Sequence, residues 1–308
     1  MALLAAAFQE AVAVWLAGRE QEMNVQAGFR TVVQGTAPCA LHLTGSTLYR
    51  VTVNGQFAAY GPARGAHGYA RIDTIDLGPW LRDGDNVVAV EVAGYNCNTY
   101  YTLDQVSFLQ AEIVAEDGSV RAATGPEGDF EGIALPQRRQ KVIRYSFQRA
   151  FTEILDLDAA DARADWAADP AADLPAEPLA AVDHGLDLLP RQVPPPDCTV
   201  CPAESIAYAG RARFEPVDRE TVQPRPRFIH NIGPLVKGFP PEEIRDIPLY
   251  TWWAADVTVS DETPGPLAAE GRTLGEGEVV VFDLGRERTG FVRGCVRAAR
   301  DSEVLRAF

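Results

Sequence analysis

The sequence predicts an all-β protein, two antiparallel β-sandwiches of the jelly-roll type joined by a Pro/Ala-rich linker, with a short helix in front. Three observations carry that expectation. Apolar residues alternate with period two in short runs, Asn-Gly and Asp-Gly pairs separate those runs, and turn-forming residues are abundant. The 308 residues hold 26 glycines and 22 prolines, above the usual combined share of roughly 12%. Many short elements joined by turns follow from that excess.

Residues 1–20 are rich in Ala and Leu and carry no glycine before Gly18, which predicts a leading helix ending there. The first sandwich is expected over residues 21–156. Tyr49, Val51 and Val53 alternate with Arg50 and Thr52, and Asn54-Gly55 then separates them from Gln56 to Tyr60. A type I′ turn needs positive φ at both central residues, so this pair predicts a hairpin. Val88, Val90 and Val92 share one face of a strand that follows the Asp83-Gly84-Asp85 turn. Asp117-Gly118 predicts a second hairpin between Ala111 to Ala115 and Ser119 to Ala123, and Val142 to Tyr145 and Arg149 to Leu155 are further strand candidates. About eight strands are expected between residues 24 and 156.

Residues 157–203 shift to Ala, Asp and Pro, with Pro194-Pro195-Pro196 the densest point. Proline denies ladder donors and favours extended backbone, so this stretch reads as a linker or a wrapped segment. A second sandwich is expected over residues 204–308, with strands at Tyr208 to Phe214, Trp252 to Val259, Val279 to Leu284 and Phe291 to Ala298. Pro241-Glu242-Glu243-Ile244 suits the first turn of a short helix. The pattern continues to Phe308 without a closing turn, so the chain reads as a fragment.

Composition excludes several functions. A net charge of −15 does not supply the clustered cations that nucleic acid or an anionic membrane requires. Only Lys141 and Lys237 are lysines; the other basic residues are arginine. The apolar N-terminus has no basic leader and is interrupted by Gln9 and Glu10, and no run is long enough to span a membrane. Five scattered cysteines suit a reducing compartment, so a cytoplasmic location is expected. Cys198-Thr-Val-Cys201 lacks the second ligand pair that structural zinc needs; loop cysteines, a labile disulfide and zinc are the three readings, in falling order. Asp83, Asp85 and Asn86 are followed by Val87 and Val88, which offer no oxygen ligands for calcium. Neither a phosphate loop nor a nucleophile elbow is present, and no metal or cofactor is expected.

Separated motifs then point to one family. Tyr49 to Gly55, Tyr60-Gly-Pro-Ala-Arg64, His67-Gly-Tyr69, Leu81-Arg-Asp-Gly-Asp-Asn86, Gly94-Tyr95-Asn96, Leu103-Asp104-Gln105 and Tyr145-Ser-Phe-Gln-Arg149 occur in an order that resembles the N-terminal, galactose-binding-like jelly roll of bacterial α-L-rhamnosidase-like glycoside hydrolases. Asp283-Leu284-Gly285 with Thr289-Gly290-Phe291 resembles the second sandwich that leads towards the family's catalytic barrel. The resemblance implies hydrolysis of terminal α-L-rhamnosides with inversion by two carboxylic residues on a helical six-hairpin barrel. No helical run of that kind occurs in the chain, so no catalytic residue is carried over and the chain alone is expected to be inactive. A non-catalytic supporting region that contacts carbohydrate is the leading expectation; a free-standing carbohydrate-binding module, or a scaffold completed by a separately encoded barrel, is the alternative. An apolar face left for the barrel implies self-association.

The candidate sugar-contacting or interdomain residues are Arg64, His67 and Tyr69, the cluster Tyr95, Asn96, Asn98, Tyr100 and Tyr101, and Trp252 with Trp253. Sugars stack their C–H faces on aromatic rings and bond planar polar side chains, which this mixture offers; half-buried tyrosines of a sandwich would look the same in sequence.

Overall fold

The computed structural model describes residues 8–156, 164–216, 232–244, 253–261, 273–288 and 290–291. It forms two units, one of residues 1–196 with 217–252 and the other of residues 197–216 with 253–308.

The first unit is a sandwich of two sheets. Its strands in chain order are β1 (Val14–Leu16), β2 (Val25–Gln34), β3 (Cys39–Gly45), β4 (Leu48–Val53), β5 (Gln56–Gly61), β6 (Tyr69–Asp76), β7 (Asp85–Gly94), β8 (Leu109–Ala115), β9 (Val120–Ala123), β10 (Glu131–Ala134), β11 (Leu179–Ala181) and β12 (Asp187–Pro190). One sheet runs β11-β1-β8-β3-β6-β12, with β9 also paired to β8; the other runs β10-β2-β7-β4-β5. Every pairing within the unit is antiparallel except β6 with β12, which is parallel.

The core follows from the alternation. Val88, Val90 and Val92 are fully buried with Val51, Val53, Leu41, Leu43 and Ile113, and Trp15 meets Phe29 with ring centroids 5.6 Å apart. The two expected hairpins form. Asn54 and Gly55 take φ of 52° and 75° between β4 and β5, and Gly118, with φ of 86°, turns β8 into β9. The Asp83 to Asn86 turn is held by a fully buried amide: Asn86 Nδ2 donates to the carbonyls of Gly35, Arg82 and Gly84, and its Oδ1 accepts from Arg82 N at 2.8 Å.

Three expectations are corrected. The described part of residues 1–20 is not helical; Val14–Leu16 is a strand, joined to β8 and β11. Burying Trp15 and Leu16 completely contributes about 4 kcal/mol, more than the roughly 1 kcal/mol that helix propensity offers over so few residues. Val142 to Tyr145 and Arg149 to Leu155 are extended without forming strands: Thr152 N bonds Ile143 O at 3.0 Å, and Leu155 bridges Arg138. They contribute instead to a second, smaller core of Cys97, Val142, Ile143, Phe151, Phe239 and Ile244.

The third correction is narrower: of the two readings of residues 157–203, linker or wrapped segment, the described part follows the second. That part straps the sandwich, supplying β11 and β12 to the first sheet and laying a 3-10 turn, Ala164–Ala167, on the second. Gly28 admits the Trp166 indole, whose ring atoms stand 2.8 Å from where a Cβ would be. The buried Arg30 guanidinium donates to the carbonyls of Trp166, Asp169 and Ala172. Farther along, Arg191 donates to both carboxylate oxygens of buried Asp73 at 3.0 Å, and Asp73 also accepts the Tyr49 hydroxyl proton.

The second unit contains β13 (Ser205–Pro216), β14 (Trp253–Asp261) and β15 (Glu278–Asp283) in an antiparallel sheet of order β14-β13-β15. Three of its expected strands are therefore present, while Val292 to Ala298 lie outside the described residues. The short helix at Pro241 in the first unit is a 3-10 turn, Pro241–Glu243. Among the described residues no helix is long and apolar enough to cross a membrane.

Candidate functional site

Three loops of the first unit carry the candidate residues: 62–68 between β5 and β6, 95–108 between β7 and β8, and 144–150 beyond β10. The second and third share a root in Arg144, 2% exposed, a residue no sequence motif marks as part of a site. Its guanidinium donates to Lys237 O at 2.6 Å, to Arg149 O at 3.2 Å and to Asn98 O. A cation satisfying carbonyls from three separate segments fixes their relative positions, because each carbonyl left unbonded in a buried place costs about 1–3 kcal/mol.

The 95–108 loop divides its residues between structure and surface. Asn96 is 2% exposed, adopts φ of 47°, and donates to Glu20 O, Glu22 O and Ser107 Oγ. It braces the loop. Asn98 accepts the Asp104 amide at 2.9 Å. Thr99 closes a tight turn, its hydroxyl accepting the amides of Tyr101 and Thr102 at 3.1 and 2.9 Å while its own amide bonds Thr102 O. Tyr100 and Tyr101 occupy the tip of that turn and project outward, 64% and 45% exposed.

These rings form a platform with their neighbours. Phe147, 56% exposed, meets Tyr100 edge to face with centroids 5.7 Å apart, and Gln148 Nε2 donates to the Tyr100 hydroxyl at 3.2 Å. The Arg64 guanidinium lies over the Tyr101 ring, 5.2 Å from its centroid. Phe147 and Gln148 belong to the Tyr145-to-Arg149 motif, and residue type alone does not mark them as part of a site. Their signal was the exposed aromatic flanked by polar residues.

Other candidates fall elsewhere. Tyr95 is half-buried, and burial, reinforced by the Glu153 carboxylate, pushes its phenol well above its usual range, so it stays neutral. Near it, Glu91 bonds both Arg50 and Arg138, and Arg138 reaches Glu153 at 3.3 Å. Burial pulls the Arg138 guanidinium down, but Glu91 and Glu153 outweigh it and hold it above its ordinary value. Both carboxylates are thus committed to ion pairs rather than poised across an open space as a general acid and base would be. His67 and Tyr69 are exposed and neither hydrogen-bonds to nor stacks on the platform. Trp252 lies outside the described residues, and Trp253 begins β14 in the other unit. Cys198 and Cys201 are exposed free thiols, also in that unit. Among the described residues no group of three or more His, Cys, Asp or Glu could hold a metal ion.

The same sandwich occurs in known proteins. The GH78 family rhamnosidase of Bacillus sp. GL1 matches 67% of this chain at 27% identity and a TM-score of 0.59. The sandwich is rhamnosidase-like. Weaker similarity is found to the α-L-rhamnosidase of Dictyoglumus thermophilum, which matches 88% of the chain at 13% identity and a TM-score of 0.45, and to that of Aspergillus terreus, which matches 89% at 14% and 0.45. The chain spans 22% of the length of the Bacillus enzyme and 32% and 36% of the other two. No protein-family model and no curated protein sequence matches the chain.

Proposed function

We propose that this chain is the non-catalytic β-sandwich part of an α-L-rhamnosidase-like glycoside hydrolase, supporting a catalytic barrel and contacting its carbohydrate substrate. The single observation that carries the reading is the match to the Bacillus enzyme, which relates most of this chain to about a fifth of that one. Purified, host-free chain is expected to give no turnover of an aryl α-L-rhamnoside; measurable hydrolysis that persists through repurification overturns the reading.

A second reading, a free-standing carbohydrate-binding module, is favoured by one observation, the exposed Tyr100, Tyr101 and Phe147 rings. The two readings share the sugar contact and differ in what accompanies the sandwich. A chain made to support a barrel self-associates or binds a barrel added separately. A free module remains a monomer while binding saccharide.

A further inference from the structure

We propose that the platform formed by Arg64, Tyr100, Tyr101 and Phe147 takes an acidic saccharide, one bearing a uronate carboxylate, with Arg64 as the residue that reads the charge. This names the ligand class of the sugar-contacting surface and rests on that reading.

The argument begins with what Arg64 lacks. It forms an ion pair with no described residue, although the chain holds 43 acidic residues against 28 basic ones. Most described arginines outside the three loops reach a carboxylate or a carbonyl; Arg64 instead lies over the Tyr101 ring. A cation held over a ring face is attracted by the ring's quadrupole and commits none of its N–H donors to a carboxylate, and it is those donors that match a carboxylate bidentately.

The surrounding loops reinforce the sign. Residues 62–69, 97–105 and 145–150 contain the cations Arg64 and Arg149, and their one acid, Asp104, is already held by Lys237. Arg149 likewise pairs with no described carboxylate. In an acidic chain these loops thus leave no carboxylate uncompensated, so the platform is locally cationic. At physiological salt, screening over about 8 Å prevents the distant negative charge from cancelling that local field.

The rings supply the remaining recognition. Tyr100 and Phe147 meet edge to face, which exposes ring surface for a pyranose face to stack on, while the Gln148 amide adds a planar polar group beside it. A neutral sugar would use the rings and leave Arg64 without its complement; a uronate uses both.

Titration calorimetry of the full chain with trigalacturonate, with its full methyl ester and with L-rhamnose tests this. The acid is expected to bind about tenfold or more tightly than the ester at low salt, a margin that shrinks as salt rises. Arg64→Gln is expected to bring the acid down to the level of the ester, Arg64→Lys to restore only part of the difference, and Tyr101→Ala to weaken both ligands. Equal binding of acid and ester overturns this inference and leaves the sugar contact standing. If none of the three saccharides binds, the sugar contact falls as well, and the platform faces protein rather than carbohydrate.

Discussion

A guanidinium at position 191 ties together parts of the chain 118 residues apart. Asp73 is buried and accepts from two donors, the Arg191 Nη1, which reaches both carboxylate oxygens, and the Tyr49 hydroxyl. Gly61 is required beside them, because a Cβ there would overlap the Asp73 carboxylate and the Tyr49 hydroxyl. Burial, together with the neighbouring Asp73 charge, holds the Tyr49 phenol well above its usual range, so it remains a donor at any physiological pH. Arg191→Ala leaves a buried carboxylate without its countercharge and is expected to cost about 3 kcal/mol in urea unfolding. Adding Asp73→Asn to that variant should recover part of the loss, since a neutral amide needs no countercharge. A loss below about 1 kcal/mol for the single variant would mean that water replaces the guanidinium.

Elements differ in how plainly the sequence announces them. The β4–β5 and β8–β9 hairpins were legible because their turn chemistry is local: Asn54-Gly55 and Asp117-Gly118 specify positive φ whatever surrounds them. β1, β11 and β12 were not legible. Each has three or four residues, and each exists because a neighbouring strand accepts it, β8 for β1, β1 for β11 and β6 for β12, which is information held outside the segment itself. The site divides in the same way. Arg64, Asn96, Tyr100 and Tyr101 could be named from residue type, but that Asn96 braces the loop through backbone carbonyls, and that Arg144 acts at all, no motif marks. Hydrogen exchange tests the strap directly. The amides of Glu177, Val182, Asp187 and Arg191 donate to Gly132, Ala13, Gly68 and Ile72, so they should exchange as slowly as those of the neighbouring sheet. Exchange at the intrinsic rate would return the segment to a linker.

At the scale of the whole molecule the two units have unequal means of stability. The first encloses Trp15, Phe29, Tyr49 and a continuous aliphatic core. In the second, Val257, Val259, Val281 and Phe282 of the described strands are more than a third exposed. Because apolar burial supplies most of the favourable free energy of folding, the second unit should melt first. Calorimetry is expected to show two transitions, the smaller at lower temperature; one cooperative transition would show that the units stabilise each other. The −15 charge acts throughout, resisting precipitation without setting the fold.

The strap also sets a timetable. A chain leaves the ribosome from its N-terminus, yet β1 waits for β11 and β6 waits for β12, partners made more than a hundred residues later. Until translation passes Pro190, both outer strands of the larger sheet stand as bare templates for any passing strand, and the nascent chain is at its most vulnerable to mispairing. Synthesis slowed just after that point gives the sheet time to close; synthesis halted before it leaves a product whose edges invite aggregation.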